Sequence, residues 1–337
     1  MTLRYKVTAS ARRCVFVTGS HARFGLAVGT HLTRPGRLTG GKANAVLQFA
    51  SLVTPFEPSI MDMMQRFIAL VMNCVRVNQL EHRTQDGCPV LLKRRRIGMS
   101  VVIWCANRFL ALARSASRMF VHTSEWMNWE LECARLLYPG SLAPKVSSRR
   151  CIVIPQVKGV SLRQMLERNE VDAKAFRLAA RELRRVHQIP CGYYNAGWSH
   201  GDLHLDNILY DAGAERAVIV DFDTRHLSEA SAADRHCDDL HVLLLELLAS
   251  PGESWSEWAA AFIEEYRATA AVLRELNRRL FVPRGSARIL FYARTYCSPM
   301  RQTEERLERL RGLIERVHSQ IDLASGVRAG ERFAQIA

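Results

Sequence analysis

Carboxylates are almost missing from the front of this chain. Residues 1–60 hold eight Lys/Arg against one acid, Glu57. Residues 61–150 hold fourteen against six, and the remainder holds 25 against 26, so the net charge of +14 arises entirely before residue 151. A basic half of this kind attracts polyanions: nucleotide, anionic membrane surface, phosphorylated glycan or nucleic acid. Nucleic acid fits worst, because the basic residues lack regular aromatic interleaving. Long apolar runs are missing too: no window of about 18 uninterrupted apolar residues occurs, which argues against a spanning helix. Paired cysteines are absent. The nine cysteines are scattered singly with no Cys-x-x-Cys, so neither a disulfide framework nor a zinc site is indicated. They read as reduced, mostly buried thiols of a cytosolic protein. Glycine-rich phosphate loops are also lacking. The stretch Val15–Gly25 does not end in Gly-Lys-Ser/Thr, and no Gly-x-Gly-x-x-Gly occurs.

What is present is enough for a sizeable core, since 337 residues suit two lobes or domains. Residues 1–60, with Pro35-Gly36 and Gly40-Gly41 breaks, look least like packed structure. They read as disordered or as an untranslated extension, synthesis then beginning at Met61, Met63 or Met64. Met64 to Val77 suggests a short helix or strand, followed by a hairpin of Val75–His82 and Cys88–Arg95 joined at Gln85-Asp86-Gly87. Between Asp86 and Glu125 there is no acid but seven Lys/Arg. The piece Val101–Leu112, apolar with Trp104 and Phe109 and followed by Arg114 and Arg118, suits either an insert packed on the hairpin or a basic amphipathic segment at a membrane interface. Ser124–Tyr138 reads as a helix capped by Ser124, burying Trp126, Trp129, Cys133, Leu136 and Leu137. Cys151–Leu162 reads as strand, connector and helix start, and Ala173–His187 as a helix. The tail is expected to be helical over Trp255–Leu280, Ala287–Tyr296 and Thr303–Ile321, broken at Pro283-Arg284-Gly285.

The most informative stretch runs from Trp198 to Asp223. It reads Trp-Ser-His-Gly-Asp-Leu-His-Leu-Asp-Asn, then an apolar run Ala217–Val220 of strand type, then Asp-Phe-Asp. Asp202, Asn207 five residues later, and Asp221 at a strand end form the polar set that phosphoryl transfer needs. One carboxylate orients or deprotonates an attacking hydroxyl, while an amide oxygen and a second carboxylate hold Mg²⁺ on nucleotide phosphates. In this segment the chain resembles the protein-kinase-like superfamily, and its His-Gly-Asp and Asp-Phe-Asp look most like the bacterial lipopolysaccharide-core (3-deoxy-manno-octulosonic acid) kinases and the RIO-type kinases.

That resemblance implies an α+β, two-lobed fold, with a small β-rich N-lobe over 65–157 carrying the basic insert and a larger helical C-lobe over 158–330. It implies ATP and Mg²⁺ as cofactors. It makes Asp202 the catalytic carboxylate, and Asn207 and Asp221 the metal ligands that also serve nucleotide binding. Lys93 matches the strand lysine that reaches the phosphates, and Glu130, with Glu132 as competitor, the helix glutamate that pairs with it. Pro155 removes a backbone donor from the hinge, leaving Gln156 or Val157 to meet adenine. Three departures matter. Gly87 stands almost alone where a glycine-rich loop covers the phosphates in the family. Gly201 replaces the Arg that reads a phosphorylated activation loop. Asp223 replaces the Gly of Asp-Phe-Gly and could join the metal shell or cap the next turn. With little chain between Asp221 and Asp238-Asp239, which are expected to begin an apolar helix over Leu240–Leu248, the acceptor is expected to be a small molecule or glycolipid, a lipopolysaccharide-core sugar first. A protein serine/threonine (RIO-like) kinase or a catalytically silent binding module is the alternative. The expected location is the cytoplasm, with peripheral contact at the anionic inner face of the membrane.

Overall fold

The computed structural model describes residues 77–140, 143–296 and 298–334, with side chains described as far as residue 320. The expectations for residues 1–60 and for Met64 to Val77 therefore lie outside the described residues, Val77 itself excepted. The first part of the described chain runs β1 (Asn78–Gln85), β2 (Cys88–Arg95), α1 (Met99–Leu112), β3 (Ser117–Met119), α2 (Thr123–Leu137), β4 (Lys145–Ser148) and β5 (Cys151–Pro155). β1 and β2 close on Asp86 and Gly87, both at positive φ (52° and 75°), the geometry a two-residue hairpin turn requires. Strand order is β1-β2-β5-β4, all neighbours antiparallel. β2 is thus interior to the sheet, and Lys93 and Arg95 are buried on it rather than lying in an exposed basic run.

The second part is mostly helical. It runs β6 (Val160–Ser161), α3 (Leu162–Arg168), α4 (Ala173–His187), β7 (Pro190–Cys191), β8 (Ala196–Gly197), a 3₁₀ turn at Leu205–Asn207, β9 (Ile208–Asp211), β10 (Arg216–Ile219) and β11 (Thr224–His226). Helices α5 (Ala232–Leu248), α6 (Trp255–Tyr266), α7 (Ala270–Arg279), α8 (Ala287–Thr295) and α9 (Met300–Ala334) complete it. β6, β9 and β10 form a small antiparallel sheet within the second part, and β11 joins the parts by pairing with β3 from the first. The fold is α+β, with a small antiparallel-sheet region and a helical majority. One large apolar cluster extends from Trp126 and Ile152 through Phe176, Leu203 and Leu244 to Leu310.

Several local expectations shift. α2 begins at Thr123 after His122, so Ser124 lies inside the helix and does not cap it. Leu136 is half-buried, while Trp126, Trp129, Cys133 and Leu137 are buried as the periodicity demands. α5 begins at Ala232, not at Leu240. Ser231 accepts from the Asp234 N–H as a side-chain cap, and Asp238 and Asp239 therefore sit two turns inside the helix. The span 255–280 is two helices because Arg267 adopts a left-handed conformation (φ 55°) and Thr269 caps a fresh start. Among the described residues no helix is long and apolar enough to cross a membrane.

Candidate functional site

Lys93 comes from the middle of β2 and Glu130 from the buried face of α2, and their side chains meet at 2.8 Å. Glu132, one side-chain step away, is exposed. Lys93 also contacts Asp221 and, at 2.7 Å, Asp223. One ammonium is therefore ringed by three carboxylates, whose nearest oxygens all lie within 4.8 Å of one another. Asp223 is not a turn cap. It accepts from Trp126 Nε1 at 2.7 Å and from the Asn78 amide, while Asn78 in turn accepts from Arg95 Nε at 3.2 Å. The Arg95 guanidinium lies 4.6 Å over the Trp126 ring.

The electrostatics follow from this crowding. Burial, and then the Asp223 and Asp221 charges, push the Glu130 carboxyl up to about 7 against the pull of Lys93. Asp223 is raised by burial and by Asp221. Asp221, whose side chain is 40% exposed, is held below the usual carboxylate range because Lys93 outweighs its desolvation. Lys93 is raised well above its ordinary value, the three acids together overcoming burial. Asp221 itself adopts φ 71°, a conformation uncommon for a residue with a side chain and stored preferentially at functional positions.

Asp202 and Asn207 are positioned by a backbone network. His200 is buried, and burial lowers its pKa, so it acts as a neutral ring. Its Nε2 donates to the Val220 carbonyl at 3.1 Å and its Nδ1 accepts from the Asp202 N–H at 3.2 Å. The Asn207 carbonyl accepts from the Val220 N–H at 2.9 Å, so the residue before Asp221 is tied to both ends of the loop. Asn207 Nδ2 donates to the Asp202 carbonyl at 3.0 Å, which leaves its amide oxygen as the free acceptor end. Asp239 accepts from the His200 and Gly201 N–H groups at 2.7 and 2.8 Å and from His187 Nε2 at 3.0 Å. It steadies the loop from inside α5. Gly201 sits at φ 89°, where a Cβ would come within 3.1–3.2 Å of Arg225 and Thr224, so this contact favours glycine there.

Asp206 is half-buried, with Ser161 Oγ at 3.4 Å and Arg163 Nε at 3.8 Å. His204 accepts locally from the Asp206 N–H. At the hinge, the Gln156 N–H donates to the Pro89 carbonyl at 3.0 Å, extending the β2–β5 ladder. That donor is committed to the sheet, so of the two expected hinge amides Gln156 has its N–H already engaged.

The residue that sequence reasoning left undirected is Arg294 on α8. Its guanidinium contacts the Asp202 carboxylate and, at 2.9 Å, Glu246 Oε1. Glu246 accepts from Arg163 at 2.5 Å and from the Leu205 N–H at 3.1 Å. Arg163, Glu246, Arg294 and Asp202 thus alternate in sign. Burial alone would lower the Arg294 pKa, but Asp202 and Glu246 raise it, and the two arginines hold Glu246 down to about 2 against its burial.

No protein-family model matches the chain, and no curated protein matches its sequence. Solved structures with a similar trace include an ethanolamine kinase of Plasmodium vivax, at 12% identity over 81% of this chain and 95% of that one, TM-score 0.38. A Mycobacterium tuberculosis protein solved in complex with erythromycin is similar at 12% identity over 70% and 72%, TM-score 0.35. At such distances neither likeness assigns an activity to this chain.

Proposed function

We propose that the chain is an ATP- and Mg²⁺-dependent phosphotransferase acting on a hydroxyl acceptor. The observation that carries the reading is the meeting of Lys93, Glu130 and Asp221 at one point, with Asp202 and Asn207 tied by their backbones to the residue before Asp221. The donor set suits a divalent cation. Three carboxylates against one contacting ammonium leave room for a further positive charge, and their nearest oxygens lie within 4.8 Å of one another. Asp221 and the Asn207 amide oxygen would hold the metal, with Asp223 flanking it. Once bound, the metal neutralises phosphate charge as the phosphoryl group moves.

The chain's own residues do the rest. Lys93, fixed by Glu130, offers its ammonium to nucleotide phosphates. Val157 offers a hinge amide. Asp202, held by Arg294 and by the His200 and Asn207 contacts, orients the acceptor hydroxyl and takes up its proton. Among acceptors, a lipopolysaccharide-core sugar leads. The segment after Asp223 is spent on β11, pairing with β3, and on the start of α5, which leaves little chain for a peptide-docking platform. The grip of Arg294 on Asp202 equally suits a silent binding module. Transfer of labelled γ-phosphate from ATP to lipopolysaccharide core, to a protein substrate or to neither separates the sugar kinase, the RIO-like protein kinase and the silent module. Label on neither, with nucleotide bound, refutes the enzyme reading.

A further inference from the structure

The basic segment that the candidate site does not use folds as α1, and its two faces differ sharply. The inward face carries Ile103, fully buried, and Asn107, whose amide clamps the Met119 backbone at 2.8 and 2.9 Å and so docks the helix on β3. The outward face, at spacings of three and four, carries Val101, Trp104, Cys105, Arg108 and Leu112, all exposed. Trp104 is 51% and Leu112 72% exposed, and Ile97, just before the helix, 82%. A stripe of large apolar groups on water is costly to leave uncovered. Arg108 lies 5.1 Å from the Trp104 ring, Arg94 and Arg114 are exposed nearby in sequence, and no acid occurs from Gly87 to Ser124.

The stripe continues beyond α1. Ser286 Oγ donates to the Leu112 carbonyl at 2.8 Å, fastening the end of α1 to the start of α8, where Phe281, Arg284 and Ile289 are exposed. Apolar groups with an aromatic at the centre and guanidinium groups around them match the boundary between acyl chains and anionic headgroups.

We infer that the outer face of α1, with the start of α8, is a docking surface for an anionic lipid bilayer. The apolar stripe enters the interface and the arginines meet headgroup phosphates. Because α8 also carries Arg294, the docked face lies on the element that touches Asp202, which would bring a lipid-anchored acceptor toward that carboxylate. That last consequence alone rests on the phosphotransfer reading.

The test is co-sedimentation of the full chain with vesicles of phosphatidylcholine alone or with about a third phosphatidylglycerol, in low and high salt. The wild type should partition onto the anionic vesicles roughly tenfold better, and less in high salt. Val101→Ser combined with Trp104→Ser should cut partitioning about tenfold, and Arg108→Gln with Arg114→Gln severalfold; all four side chains are exposed, and circular dichroism checks that the variants fold. Equal binding to neutral vesicles or no binding overturns the inference. So does undiminished binding of the Val101/Trp104 variant, which would transfer the effect to the basic residues 1–60, or concentration-dependent dimers abolished by that variant, which would make a second copy the occupant. None of these readouts depends on phosphotransfer.

Discussion

Two clusters of charge flank the candidate reaction centre, and they are built on opposite plans. Around Lys93, three carboxylates crowd one ammonium, and burial, with Asp223 and Asp221 adding to it, pushes Glu130 to about 7. Around Asp202, charges alternate along Arg163, Glu246, Arg294 and Asp202, and Glu246 is pulled down to about 2. On the proposed reading, the first cluster would gain from a cation. The second is already compensated as protein alone, with Arg294 on one carboxylate oxygen of Asp202. The contrast separates the side proposed for metal and nucleotide, rich in carboxylates, from the side proposed for the acceptor, which is already compensated.

The sharpest way to break the contrast is at Asp221. Asp221→Asn should reduce turnover by about 10³-fold or more while the circular dichroism spectrum stays native, since it removes the proposed metal ligand without emptying the core. Lys93→Met comes next. It strands Glu130 and its neighbours, and should cost about 3 kcal/mol of stability in urea titrations at pH 8, less at pH 6 where Glu130 takes a proton, and less with millimolar Mg²⁺ present. If Mg²⁺ leaves that variant's urea midpoint unchanged, the cluster is not a cation site.

Arg294→Ala tests the other plan. It should lower kcat by about 100-fold with the KM for ATP unchanged, because Asp202 loses its positioning partner. Arg294→Lys should recover part of that loss. A merely structural role would lower both parameters through instability. The smallest effect is in pH. Burial lowers His236 to about 3 and His241 to about 4, so the unfolded chain binds protons first, and stability falls as pH drops from about 6.5 toward 4. Glu246 adds a loss between about 4.5 and 2, in the same direction. Glu130 runs oppositely: its stabilising protonation is present below about 4.5 and lost as pH rises through 7. Urea midpoints from pH 4 to 8 should therefore rise less steeply in wild type than in Glu130→Gln, and Mg²⁺-nucleotide should bind severalfold tighter at pH 8 than at pH 6.

How much of this was legible depended on distance along the chain. The hairpin turn at Asp86-Gly87, the α2 face, the α4 boundaries and the local spacing of Asp202, Asn207 and Asp221 are short-range patterns, and each could be read directly. The Lys93–Glu130 contact bridges 37 positions and was reachable through resemblance. The role of Asp223 was open because its partners, Trp126 and Asn78, lie 97 and 145 positions away. Arg294 meets Asp202 across 92 positions, and an arginine among many carries no local mark of its target. The apolar run Leu240–Leu248 marks only the second half of α5, whose true start carries its own local signal in the Ser231-Ala-Ala-Asp234 capping pattern.

The central claim is that Lys93, Asp202, Asn207 and Asp221 form one Mg²⁺-dependent phosphotransfer site. The most direct test measures γ-phosphate loss from ATP by the purified chain with lipopolysaccharide core present, with and without Mg²⁺, for wild type and Asp221→Asn. The account predicts turnover by wild type that stops when Mg²⁺ is chelated and is nearly abolished in Asp221→Asn. Equal rates in the two proteins, or turnover indifferent to a divalent cation, would contradict it.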